Sequence, residues 1–111
     1  RAKRELAKRY AEEFQDVPGV RFLQEPSDSR SNYWLNALVL EPDVEAERDA
    51  LIEQLNAADY QCRPLWQPMH HLPMYAGAPR GELRRTESLC RRVINIPSSA
   101  DLAPSWLKGE R

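Results

Sequence analysis

Charge of one sign is the first thing this chain lacks: 16 lysines and arginines stand against 17 aspartates and glutamates, leaving −1 although 30% of the residues are charged. No overall basic field is available to hold nucleic acid or anionic lipid. Long apolar runs are missing too. The clearest, near Leu35 to Leu40, falls far short of the roughly 20 residues a membrane span needs, and no charged-then-apolar signal segment is present. Neither nucleic acid nor membrane is an expected partner. Glycine is scarce, and its four copies build neither a phosphate cradle nor an oxyanion-hole turn. Ser88 and Ser98 therefore make no nucleophilic triad with a histidine, since no acid is placed to orient the base.

Cysteine is equally sparse. Cys62 and Cys90 fall in segments that read as a strand and a helix, which suits buried free thiols better than a bridge. With no signal segment, this favours the cytoplasm. The two thiols and His70 and His71 lack the paired spacing that preorganises a metal tetrahedron, so no metal site is expected. Neighbouring histidines in an extended loop tend to point apart, so only one of the two is expected to face a given ligand.

Proline, by contrast, is concentrated. Pro64, Pro68 and Pro73 lie within Arg63–Tyr75, where they fix φ and remove backbone donors, so neither an uninterrupted helix nor a central strand passes through. That stiff loop carries Arg63, Trp66, His70, His71 and Tyr75, residue types that bind flat or anionic groups by stacking and forked hydrogen bonds.

Periodicity supplies the frame. Ala2, Leu6, Tyr10 and Phe14, with Ala7 and Ala11, form the apolar face of a helix over Arg1 to Phe14. Pro18-Gly19 marks a turn, and Val20 to Gln24 reads as a short strand. Asn32 to Glu41 reads as a central strand, with Tyr33, Leu35, Ala37 and Val39 on one face and Trp34, Leu38 and Leu40 on the other. Asn36 is a polar exception that needs partners if enclosed. Asp43 reads as the N-cap of a second helix to about Ala58, with Leu51, Ile52, Leu55 and Ala58 inward. Tyr60 to Cys62 reads as a brief strand, and Gly77 to Gly81 as irregular. Glu82 to Arg92 reads as a third helix with Leu83, Thr86, Leu89, Cys90 and Val93 on one side, and Val93 to Ile96 as the last strand. The order α-β-β-α-β-loop-α-β predicts a small α+β domain, with helices on one face of a mixed, mostly antiparallel sheet of three or four strands. No repeat or second domain is visible.

The pattern Arg-Pro-Leu-Trp-x-Pro-Met-His-x-x-Pro-x-Tyr over Arg63–Tyr75, read with Ser31-Asn32-Tyr33-Trp34-Leu35 before it and Asn95-Ile96-Pro97-Ser98-Ser99 after it, resembles the end of the DegT/DnrJ/EryC1/StrS sugar aminotransferases. Asp59 stands where that family often has glycine, which implies a position that needs the left-handed conformation ending a helix, one that aspartate tolerates better than most residues. The resemblance implies the C-terminal small domain of a fold-type I pyridoxal-phosphate enzyme over residues 1–99, and a tail over 100–111 that is disordered or a truncated helix anchored by Trp106. It also implies that the Schiff-base lysine and phosphate cup belong to a preceding large domain, and that the chain, opening at Arg1 in helical register, is a piece of a longer polypeptide. The parent would be a homodimer aminating a nucleotide-linked keto sugar, a 4-keto-6-deoxy or N-acetyl hexose, with an amino acid such as glutamate as donor, for surface polysaccharide or glycan.

By the same resemblance Trp66, His70, Asn32, Tyr33 and Arg63 bind substrate. Each has a structural alternative. Trp66 can plug the core instead of stacking on a ligand, and Arg63 can tie down the loop instead of pairing a phosphate. Tyr33 can be core, and His70 can simply bond a loop carbonyl. No catalytic or cofactor-binding residue is expected here. Lys3 and Lys8 lie on the exposed face of an amphipathic helix and Lys108 in the tail, and none has the desolvated, rigid seat an imine-forming amine requires. The competing expectation is a non-catalytic module that grips a small ligand or protein through the same loop.

Overall fold

The computed structural model describes residues 1–102; the tail anchor Trp106 and Lys108 lie outside them. α1 (Ala2–Glu13) buries Leu6, Ala7 and Tyr10, with Ala2, Ala11 and Phe14 packed alongside, the stripe that the spacing predicts. Its outer face carries Lys8–Glu12 and Arg9–Glu13 pairs one turn apart, which add little beyond solubility. Gly19, at φ 77°, turns the chain into β1 (Val20–Phe22). That φ is costly for a side chain, and a Cβ here would sit 3.4 Å from Val44 Cγ2.

β2 (Asn36–Leu40) is buried at every position but starts later than the apolar run suggests. The reason is Tyr33, whose φ of 49° is incompatible with a strand. The left-handed residue also resets the alternation. Ala37 and Val39 face one side, but Tyr33 packs on the other with Leu38, Leu40 and Phe22, while Trp34 and Leu35 are exposed.

A 3-10 segment over Pro42–Glu47 precedes α2 (Arg48–Ala57), and Asp43 caps neither: it lies inside that segment, Glu41 stands at the N-cap of the segment and Glu47 at that of α2, both without a side-chain bond. Ile52 is buried and Leu51 and Leu55 pack beside it, whereas Ala58 is exposed just past the helix end. Asp59 adopts φ 66°, the left-handed stop the sequence calls for.

The third strand is displaced from Tyr60–Cys62 to β3 (Arg63–Pro64). The Asn56 carboxamide occupies the Cys62 backbone, accepting its N–H at 2.8 Å and donating to its carbonyl at 3.1 Å, so the ladder begins only after Cys62, at Arg63. Pro64 is tolerated because β3 is an edge. The loop beyond contains 3-10 turns at Met69–His71 and Pro73–Tyr75. α3 (Arg84–Arg92) leads directly into β4 (Val93–Ile96). Thr86 is exposed instead of inward, while Glu87 is half-buried.

The strands form one antiparallel sheet ordered β1-β2-β4-β3. α1 and α2 cover one face, around Leu38, Leu40, Ile94 and Ile96. Leu89 of α3 and Leu65 cover Ala37, Val39 and Val93 on the other, so helices flank both faces instead of one. Cys62 is buried and Cys90 half-buried, both free thiols as expected. Burial raises the Cys62 pKa. No helix among the described residues is long and apolar enough to cross a membrane.

Candidate functional site

Where the proline loop leaves the sheet edge, extended backbone sends successive side chains to opposite sides. Leu65 packs inward against the Ala37–Val39–Val93 cluster, and Trp66 turns outward, 67% exposed. Beside it stands Trp34, 62% exposed, with ring centroids 6.1 Å apart and planes tilted by 41°. Large aromatic faces grouped in the open mark a surface that something else completes.

Trp34 owes its place to the segment before β2. The Asn32 carboxamide oxygen accepts the Trp34 N–H at 2.9 Å, and Ser31 Oγ accepts the Tyr33 N–H at 3.0 Å, two consecutive side-chain turns. Lys3 Nζ donates to the Trp34 carbonyl at 3.1 Å and to the Ser98 carbonyl at 2.6 Å, tying α1 to both rims. Below them the Arg4 guanidinium forks onto Glu25, at 2.9 and 2.5 Å, donates to the Ser31 carbonyl at 2.7 Å and lies over the Tyr33 ring. Glu25 also accepts the Ser31 N–H. The Arg4 hydrogen bonds, helped by that N–H and opposed by partial burial, hold the Glu25 carboxyl down at about 2.

Across the groove the Tyr10 hydroxyl donates to the Pro97 carbonyl at 3.0 Å, and burial pushes its pKa up to about 12. Ser98 Oγ accepts the Asn36 N–H at 2.7 Å and donates to the Ile96 carbonyl at 2.8 Å, which fixes the chain after β4. Trp34, Trp66, Arg63, Gln67, Asn95 and Ser99 are among the residues lining the resulting open groove of about 1140 Å³.

The five residues singled out by sequence separate into three places. Trp66 and Arg63 line the groove. Trp66 is a surface platform, not a core plug, and the exposed Arg63 guanidinium meets no hydrogen-bond or ion-pair partner among the described residues. An unpaired guanidinium is a forked donor suited to phosphate or carboxylate. Asn32 is exposed with its carboxamide oxygen spent on the Trp34 turn. Tyr33 stacks on Phe22 at 6.4 Å, and its hydroxyl accepts the Glu25 N–H at 3.1 Å.

His70 points elsewhere. Its side chain is only 11% exposed, and Nε2 lies 3.0 Å from Glu87 Oε1 of α3, away from the groove lining. The adjacent histidines do not point apart, because Met69–His71 is a tight turn and not extended chain. The His71 ring meets that of His70 edge-on at 4.2 Å, with Nε2 4.0 Å from the same Glu87 oxygen. Sequence reasoning missed Trp34, which it placed inside a strand, and Glu87. The available signal for Glu87 was its position as the one acid in the Arg84–Arg92 helix.

The described residues do not fit pyridoxal phosphate. Lys3 is committed to two carbonyls, Lys8 is 74% exposed on the outer face of α1, and no phosphate cradle is present among them.

The family model for the DegT/DnrJ/EryC1/StrS aminotransferases matches residues 1–108. The chain is 32% identical over 109 residues to GDP-perosamine synthase of Vibrio cholerae, covering 97% of this chain and 29% of that protein. It is 30% identical over 73 residues to GDP-perosamine synthase of Caulobacter vibrioides, covering 66% of this chain and 20% of that one. It thus spans less than a third of the length of these relatives. Among solved structures, it superposes with TM-score 0.75 and 28% identity on S. venezuelae DesV in complex with a ketimine intermediate, covering 97% of this chain and 29% of that one. An aminotransferase from Brucella abortus gives TM-score 0.71 and 27% identity over 97% of this chain and 30% of that one. Matched by the family model over residues 1–108 and by its fold nearly end to end, the chain belongs to the DegT/DnrJ/EryC1/StrS aminotransferase family.

Proposed function

We propose that this chain is one wall of the substrate site of an enzyme that aminates a nucleotide-linked keto sugar, with pyridoxal phosphate and its lysine carried by residues outside Arg1–Arg111. The observation that carries the reading is Arg63, an unpaired guanidinium on the same groove as the exposed Trp34–Trp66 pair. Such a combination suits a nucleoside diphosphate sugar, with the aromatic faces taking base or hexose and the fork taking a phosphate. Family membership supports the transamination, and the GDP-perosamine synthases among the relatives support a GDP-linked sugar; the hexose we propose is of the 4-keto-6-deoxy or N-acetyl kind.

In this reading Arg63 and Trp66 touch the substrate. Asn32 and Tyr33 act by setting Trp34 in place, and His70 by holding the loop on α3. Residues 1–99 form the small domain and 100–111 a tail. The amino donor is an amino acid such as glutamate, the parent is a cytoplasmic homodimer, and the product enters a surface polysaccharide or glycan. In this reading the 111 residues alone transaminate nothing: among the described residues Lys3 is tied to two carbonyls and Lys8 faces solvent, and Lys108 lies outside them.

The test is made in the whole protein. Arg63→Gln should lower kcat/KM for the nucleotide sugar about tenfold or more, the equivalent of one charge-assisted hydrogen bond of about 1.5 kcal/mol. The half-reaction with the amino donor should be unaffected. Equal loss in both half-reactions, or in neither, overturns the assignment.

A further inference from the structure

We infer that His70, His71 and Glu87 form a binding site for a single dication of the zinc class, one that latches the proline loop to α3. The inference is independent of what occupies the groove. Nε2 of both histidines faces Glu87 Oε1, at 3.0 and 4.0 Å, and the three prospective ligand atoms lie within 4.8 Å of one another. Bonds of about 2.0–2.2 Å to imidazole nitrogen and carboxylate oxygen place tetrahedral ligands about 3.2–3.6 Å apart. The present separations straddle that range, so a cation is seated by small side-chain rotations with the backbone unchanged.

The donor set selects the metal. Two imidazoles and one carboxylate suit zinc, nickel or copper, whereas calcium and magnesium favour all-oxygen shells. Three protein ligands leave a tetrahedral position open for water. With the His71 and Glu87 side chains 45% and 41% exposed, an entry path is present.

Electrostatics favour occupation as well. Glu87 sits among the four arginines of α3, three of which are engaged elsewhere: Arg84 Nε with Glu82 at 3.1 Å, Arg91 Nε with Glu45 at 2.7 Å, and Arg92 Nη1 with the Leu40 carbonyl at 2.6 Å; the fourth, Arg85, makes no ion pair with Glu87. Arg80 reaches the His70 carbonyl, at 3.5 Å, and not the carboxylate. Glu87 keeps its charge for the histidine side. A purely structural pin would need only the His70–Glu87 bond. The second, more exposed imidazole drawn toward the same oxygen is the feature that a pin leaves unexplained. Bound metal would join the turn after Trp66 to α3 through three bonds, making the order of the loop metal-dependent.

The experiment titrates the metal-free chain with zinc by calorimetry and with cobalt(II) by absorption, in a Cys62→Ser/Cys90→Ser background that removes thiol ligands. The expected result is one zinc per chain, and cobalt bands without thiolate charge transfer. His71→Ala and Glu87→Gln should each weaken binding at least tenfold, while the His71→Ala melting temperature in chelator stays unchanged. Binding that is lost in the cysteine-free background, or that is unaffected by both substitutions, overturns the proposal.

Discussion

Trp34 and Trp66 come from opposite ends of the fold's middle, one just before β2 and one just after β3, yet their ring centroids lie 6.1 Å apart on the protein surface. The β2–β4–β3 pairing brings these strands together, but the side chains contribute little to the core that the strands build. Their conformation is held from beneath instead, by Lys3 on the Trp34 carbonyl and by Leu65 packed against the sheet.

Stability and binding should therefore separate at these positions. Trp66→Ala removes a side chain 67% exposed, so its melting temperature should change little, in keeping with surface substitutions of about ±0.5 kcal/mol. Affinity for a nucleotide sugar in the whole protein should fall by about 0.5–1.5 kcal/mol, the worth of one aromatic contact. Thermal denaturation beside calorimetric titration measures both.

The Arg4–Glu25 fork sets an acid limit on stability. The Glu25 pKa in the folded state, about 2, lies below the ordinary 4.5, so its contribution is fully present above pH 4.5 and is lost as the pH falls toward 2. Glu25→Gln should flatten the melting-temperature profile across that window while leaving it parallel to the parent above it. Tyr10 acts with the opposite sign: its pKa is raised from 10 to about 12, so its contribution is present below pH 10 and disappears as the pH rises toward 12.

Asp59 ends α2 at φ 66°, where glycine carries no steric penalty. Asp59→Gly should stabilise the chain by about 0.5 kcal/mol, raising the melting temperature by about 2–4 °C, and Asp59→Ala should lower it. Chemical denaturation of the three proteins orders them.

Asn36 is 1% exposed, and neither its Oδ1 nor its Nδ2 meets a hydrogen-bond partner among the described residues. An enclosed amide without partners carries a desolvation cost of about 1–3 kcal/mol, so Asn36→Val, which suits a strand, should be stabilising. A lower denaturation midpoint for that variant would show that the amide is satisfied.

Elements written in regular periods were legible from sequence. The α1 stripe and the burial of β2 follow from local spacing, the mostly antiparallel class from the order of elements, and the left-handed Asp59 from the family's glycine at that position. What escaped depends on single residues that break the period. Tyr33 at φ 49° shortens β2 and turns Trp34 into the open, and no propensity marks a tyrosine for that role. Asn56 displaces the third strand by capturing the Cys62 backbone, a contact that the pattern of apolar residues does not encode. At the candidate site, the motif singled out Trp66, Arg63 and His70 but did not indicate where the fold places each. His70 turns to Glu87 because the Met69–His71 turn and the placement of α3 bring them together, which is tertiary information.

The account rests on Trp34, Trp66 and Arg63 forming one ligand-facing wall. Its most direct test follows the indole N–H resonances of Trp34 and Trp66 in the whole protein by NMR during titration with a stable GDP-linked hexose. The Trp34 and Trp66 peaks should shift together with a single binding curve, and Arg63→Gln should weaken it. Peaks that stay fixed to saturating ligand, or that move identically in the Arg63→Gln protein, would contradict it.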